Sequence, residues 1–196
     1  MRIVMFSLAM LLSAAAPAAE YCVGNVTQLQ NALNDAEVDF DDSLIKVRSG
    51  AYSLGSDLEY EPAAEFTVPA GKLTVRGGYN NDCSAYSNDS GATRFIASAN
   101  RRFSFRTQTG PVSLAGLSFE GTHLTLTSVV LGQCLGNDPN FNLRRVRVVG
   151  AGVRIVSQCH DVIVENGLFV DAVAVPDAGV PAESAIDISM TERDGE

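Results

Sequence analysis

Val112-Ser-Leu-Ala-Gly-Leu-Ser-Phe119, Phe141-Asn-Leu-Arg-Arg-Val-Arg-Val148 and Val162-Ile-Val-Glu-Asn-Gly-Leu-Phe169 are one strand phrase written three times. Aligned, they set Leu114 against Leu143 and Val164, and Phe119 against Val148 and Phe169, at offsets of 29 and 21 residues. Repeats of roughly 20 to 30 residues belong to stacked coils, each burying its apolar face only against its neighbours. The spacing therefore predicts a solenoid of parallel strands. It predicts no chemistry.

The start of the chain reads as a leader. Arg2 is followed by the apolar run Ile3 to Leu12, which is too short to span a bilayer. Ser13 to Ala19 then supplies small residues, and Ala16 and Ala18 form an A-x-A site. Residues 1–18 are expected to be a signal peptide, with a mature chain from Ala19. No later segment is apolar enough to cross a membrane.

The mature length suffices for one domain with a real core. The formal charge of −9 becomes −10 once Arg2 leaves, and lysine is represented only by Lys46 and Lys72. Such a surface argues against nucleic acid, whose phosphates need clustered Lys and Arg.

Four cysteines follow the leader: Cys22, Cys83, Cys134 and Cys159. Export permits disulfides, and four cysteines allow three connectivities. Val130-Leu-Gly-Gln-Cys134 and Ile155-Val-Ser-Gln-Cys159 are alike at 25 residues, one coil apart. Equivalent positions on adjacent coils lie about 5 Å apart, which suits a disulfide. Cys134–Cys159 is thus one expectation, and Cys22–Cys83 follows by elimination. No two cysteines have C-x-x-C spacing and each histidine stands alone, so no metal site is expected.

Between the leader and the repeats, Val26 to Ala36 carries the stripe Val26, Leu29, Leu33 and Ala36 of a short amphipathic helix. Thr27 and Gln30 stand in capping-box spacing. Strands are expected at Leu44–Arg48, Phe66–Val68, Leu73–Arg76, Thr93–Ile96, Phe103–Phe105 and Leu124–Leu131, with a weak one at Ala185–Ile188. Gly77 to Gly91 is a polar, turn-rich insertion. The organisation expected is a cap with its helix over residues 19–43 and coils over 44–196. A β-sandwich is the competing architecture, but its hairpin signals are missing.

The order helix, Ile45-Lys-Val-Arg-Ser-Gly-Ala-Tyr52, Leu73-Thr-Val-Arg-Gly-Gly-Tyr-Asn-Asn-Asp-Cys83, then β repeats resembles the start of secreted bacterial right-handed parallel β-helix proteins, the pectin-lyase-like superfamily in the broad sense. The likeness covers roughly residues 22–170. It implies an all-β, single-stranded, right-handed parallel β-helix with a helix plugging its N-terminal end. Relatives of this kind are usually longer, and no capping helix is evident after Val170. The chain thus reads as the N-terminal portion of such a solenoid, cut short.

Residues of chemical interest are sparse. Asp161, Glu165 and Asp171 fall in the last coils beside His160, and paired carboxylates are what glycoside hydrolysis requires. Arg144, Arg145, Arg147 and Arg154 are the other cluster, and lyases of this fold use a basic residue beside calcium carboxylates. Both clusters read better as solvated corners and the polar half of alternating strands. No G-x-S-x-G is present, and Gly77-Gly78 and Gly150-Ala-Gly152 precede no helix, as a phosphate loop would. Tyr52, Tyr60, Tyr79 and Tyr86 are dispersed and tryptophan is absent, so no sugar-stacking platform is evident.

The sequence thus leads to an exported, non-catalytic β-helix module with a structural or adhesive role, without cofactor or metal. The partner classes it fits are polysaccharide, a cell-surface component, or another copy associating end to end. The alternative is a lyase or glycoside hydrolase relative acting on acidic polysaccharide.

Overall fold

A computed structural model describes residues 18–39, 41–62, 71–107, 110–131, 141–158, 162–171, 173–174 and 187–191. The described residues open with β1 (Ala19–Val23) and the helix α1 (Val26–Val38). It then passes repeatedly through three strands. The first pass is β2 (Ser43–Arg48), β3 (Gly50–Leu54) and β4 (Leu58–Tyr60). The second is β5 (Leu73–Tyr79), β6 (Thr93–Ala97) and β7 (Arg101–Thr107). β8 (Val112–Ala115), β9 (Ser118–Glu120) and β10 (Leu124–Leu131) form the third. β11 (Phe141–Arg144), β12 (Arg147–Val149) and β13 (Gly152–Gln158) form the fourth. The fifth comprises β14 (Val162–Glu165), β15 (Leu168–Val170), β16 (Val173–Ala174) and β17 (Asp187–Thr191).

Each pass adds one strand to each of three sheets. Sheet A runs β1-β2-β5-β8-β11-β14, sheet B runs β3-β6-β9-β12-β15, and sheet C runs β4-β7-β10-β13, ending on β16 and β17. All these pairings are parallel. Among the described residues this is an all-β, parallel, solenoid-like architecture with one helix. The register read from the sequence holds: Leu143 pairs with both Leu114 and Val164, and Val148 with both Phe119 and Phe169.

The sheets face one core. Ile45, Val75, Leu114 and Leu143 form a buried row on sheet A; Tyr52, Phe95, Phe119 and Val148 form the facing row on sheet B. Phe95 stacks on Phe119 at 5.5 Å between centroids and meets Phe103 of sheet C edge-on at 5.2 Å. A fully buried Leu or Phe contributes about 1.5–3 kcal/mol, so the rows supply most of the cohesion between coils.

The corners explain why one phrase recurs. Strand, left-handed residue, linker, strand, left-handed residue is a fixed unit. Gly116, Arg145 and Asn166 hold the first left-handed place at φ 63°, 52° and 54°; Gly121, Gly150 and Asp171 hold the second at 93°, 65° and 48°. Gly, Asn and Asp tolerate this conformation best. The coil-to-coil ladder runs on through the corners: the Gly116 N–H donates to the Arg144 carbonyl at 3.0 Å and the Arg145 N–H to the Glu165 carbonyl at 2.8 Å.

Two local expectations are corrected. Asn25, not Thr27, caps α1. Its extended backbone (φ −154°) lets its side chain accept the Gln28 N–H, and the Gln28 side chain accepts the Gly24 N–H. Asparagine is the stronger cap and stands two residues earlier, directly before the first helical residue. The 25-residue coil offset behind Cys134–Cys159 also fails in the adjoining strands: Val130 pairs with Ser157 and Leu131 with Gln158, an offset of 27. A two-residue slip keeps every side chain on its face, so alternation could not tell 25 from 27. Cys134 and Cys159 themselves lie outside the described residues, as do Phe66–Val68, Ala185 and Ile186.

Two strand features lay beyond the sequence reading. β1 extends sheet A ahead of the helix. β16 and β17 act as one interrupted strand: Val153 pairs with Ala174 and the next residue, Arg154, with Asp187. Along β13 the ladder thus passes from Ala174 directly to Asp187.

Candidate functional site

The disulfide Cys22–Cys83 is formed, with the Cα atoms 5.9 Å apart. Cys22 pairs in register with Lys46 of β2, and Cys83 lies on the insertion that follows β5. The bridge thus ties β1 to the insertion, and Cys83 Sγ lies 3.7 Å from the Lys46 carbonyl of β2. The insertion is ordered by its own polar groups: the Asn80 side chain accepts the Ala85 N–H, and Asp82 accepts from both the N–H and the hydroxyl of Ser84. Those Ser84 contacts hold the Asp82 carboxyl below its ordinary value. Tyr79 and Tyr86 close the insertion through an isolated antiparallel bridge.

Around this bridge lies the most featured outer surface, that of sheet A. Lys46 sits 5.9 Å over the Tyr79 ring, Arg76 sits 5.1 Å over the Tyr86 ring, and the two tyrosines are 5.4 Å apart. Further along the sheet a shallow groove of about 240 Å³ is lined by Lys72, Ser113, Asn142, Arg144, Ile163 and Glu165. Ser113, Asn142 and Ile163 are one outward register row, and Arg144 and Glu165 stand on the next.

Of the carboxylates singled out in the sequence, the two described, Glu165 and Asp171, stand at different corners of the last coil. Glu165 is taken by Arg144, whose Nε donates to it at 2.7 Å. Asp171 sits exposed at the left-handed corner beyond β15. His160 and Asp161 lie outside the described residues. The arginines are likewise engaged: Arg145 donates to the Asn88 side chain, and Arg147 lies 4.0 Å from Glu120. Among the described residues no three His, Cys, Asp or Glu side chains form a group that could hold a metal ion. No helix there is long and apolar enough to cross a membrane.

The ion pairs among the described residues share one regularity. Lys46–Glu20, Arg102–Asp57, Arg106–Glu61, Arg94–Glu120, Arg147–Glu120 and Arg144–Glu165 each join one coil to the next. These pairs are solvent-exposed to differing degrees, and each is worth about 0–1 kcal/mol. They tie coils together along the surface as the apolar rows do inside.

The N-terminal end carries the chain's clearest polar assembly. α1 buries Leu29, Ala32, Leu33 and Ala36 against the first coil. Its Gln30 side chain bonds both backbone groups of Glu59 on β4, and its Glu37 carboxylate accepts the Glu61 N–H at 2.7 Å. Partial burial raises the Glu37 pKa; the Glu61 N–H opposes that shift, and the Glu61 and Glu59 charges add to it. Tyr60, between them, is pushed up to about 12 by burial and then by Glu37. Glutamine at position 30 was legible only as a cap residue, because its strand partner is 29 residues away.

No known family, curated protein or solved structure matches the chain. The class rests on the fold: a parallel β-solenoid-like protein with a helix-sealed first coil.

Proposed function

We propose that this chain is an exported right-handed parallel β-helix module, of the pectin-lyase-like kind, with a structural or adhesive role at the cell surface or beyond it. The observation that carries this reading is the set of coil-to-coil ion pairs. Six outward ion pairs join coil to coil, and Glu165 and Asp171, the described carboxylates of the candidate cluster, stand at different corners. The Cys22–Cys83 bridge supports export, since such bonds persist in oxidising compartments. So does the leader-like sequence that ends where β1 begins. The polar groove on sheet A offers a rigid, shallow surface of the sort that suits polysaccharide or a cell-surface component.

The test is cell fractionation with N-terminal sequencing, followed by incubation with pectate, alginate and related polymers with and without calcium. The expected result is an exported chain beginning at Ala19 that releases no unsaturated or reducing ends. Retention of Met1 in the cytosol would overturn export. Released ends would replace the structural role with lyase or hydrolase chemistry.

A further inference from the structure

The Cys22–Cys83 bridge joins two segments that are each held in place by other bonds. Cys22 lies on β1, which pairs with β2 residue by residue from Ala19 to Val23. Cys83 closes a turn of its own insertion. Its N–H donates to the Asn80 carbonyl at 3.1 Å, and the Asn80 N–H donates to the Ala85 carbonyl at 2.9 Å. The base of the insertion is anchored as well. The Ser87 N–H donates to the Gly78 carbonyl at 2.8 Å, and the Gly78 N–H donates to the buried Thr93 hydroxyl, which itself donates to the Arg48 carbonyl of β2.

The two sulfurs are not equivalent. Cys22 is exposed, whereas Cys83 is only 6% exposed. An incoming thiol therefore meets Cys22 first. Cys83 Sγ lies 3.7 Å from the Lys46 carbonyl oxygen, within reach of a thiol hydrogen bond. In the bridge that sulfur carries no hydrogen. Once released and protonated, it finds an acceptor already in place.

We propose that the bridge is a reversible thiol-exchange site, at which a small-molecule thiol becomes attached to Cys22 while Cys83 is the sulfur that leaves and returns. The thiolate attacks Cys22 Sγ, and the new sulfur–sulfur bond forms as the Cys22–Cys83 bond breaks. The electron pair of the broken bond goes to Cys83 Sγ, which takes a proton from water and rests against the Lys46 carbonyl. One thiol enters and one is released, so no other oxidant or reductant is required. Attack by Cys83 on the mixed disulfide restores the bridge and expels the added thiol. Because β1 and the insertion stay positioned, Cys83 acts at high effective concentration and both directions proceed in the folded chain. Exchange depends on the bridge alone. Its absence would leave the structural role proposed above untouched, and its presence would not establish that role.

The test incubates the full oxidised chain with reduced glutathione, quenches with iodoacetamide, and maps the Cys22 and Cys83 peptides without reduction. Glutathione is expected on Cys22 and the alkyl group on Cys83, with Cys22 favoured for the adduct by about tenfold or more. Circular dichroism should stay native throughout, and urea below the unfolding transition should leave the rate little changed. Removing free glutathione before the quench should erase the adduct as Cys83 closes the bridge. In Cys83→Ser, an adduct formed with glutathione disulfide should persist through the same step; the parent-chain measurements stand without this variant. Glutathione on Cys83 as often as on Cys22, exchange only as urea unfolds the chain, no exchange, or a parent adduct that survives removal of free thiol would each overturn the proposal.

Discussion

The Gln30 side chain meets Glu59 as an adjoining strand would: Nε2 donates to the Glu59 carbonyl at 2.9 Å and Oε1 accepts the Glu59 N–H at 3.1 Å. A helix thereby finishes a sheet. Gln30→Ala leaves both backbone groups to water. Because the site is exposed, the loss should be about 1 kcal/mol in urea unfolding. Gln30→Glu keeps the acceptor, loses the donor and adds charge beside Glu59, so it should not rescue. Full stability in both variants would show that the apolar face of α1 alone holds the cap.

The left-handed corners give opposite expectations at equivalent places. Gly116→Ala puts a Cβ at φ +63°, where it also meets the Gly77 carbonyl oxygen at 3.4 Å, and should cost about 1–2 kcal/mol. Arg145→Gly removes the same strain at φ 52° but loses the bond to Asn88 and adds chain entropy, so its net effect should be small, within about 1 kcal/mol. Thermal unfolding of both variants checks the pair. Equal losses would mean that the corner conformation is not what sets the cost.

The Cys22–Cys83 bridge closes a separation of 61 residues. Chain-entropy reasoning assigns such a loop about 4 kcal/mol. Cys22→Ser combined with Cys83→Ser should lower the unfolding midpoint accordingly, and reductant should have no further effect through this pair. Cys22 is exposed, so a thiol reductant reaches the native bond from that side.

The pH dependence follows from the same N-terminal end. A raised carboxyl pKa means that the folded state holds its proton longer than the unfolded one. The Glu37 contribution is therefore intact below the ordinary carboxylate range and is lost as pH rises through its folded pKa. Glu37→Gln keeps an oxygen for the Glu61 N–H and removes the charge. It should raise stability at neutral pH and flatten the profile above the carboxylate range. Tyr60 repeats the logic at high pH: with its folded pKa at about 12 against 10.0 for the free phenol, stability should fall between those values. Ultraviolet titration of phenolate in Tyr60→Phe against the parent chain isolates the step. A parent profile matching the variant's would refute it.

The sequence by itself determined the parallel architecture, the inner register of sheets A and B, and the place of the helix. Apolar rows at Leu114, Leu143 and Val164 admit one stacking, because each coil buries its face only on the next. It also carried Cys22–Cys83, though only by elimination. Tertiary structure alone decided the rest. The 27-residue offset in sheet C arises because the corner from Val149 to Gly152 is two residues shorter than that from Glu120 to Thr125, and strand alternation is blind to even slips. The union of β16 with β17 depends on β13, which offers Val153 and Arg154 in succession to residues far apart in sequence. The use of Gln30 and Glu37 as edge strand, and of surface charges as links between coils, depends on partners that no local pattern names. Side-chain periodicity records which face is buried; it does not record which polar groups meet across a fold.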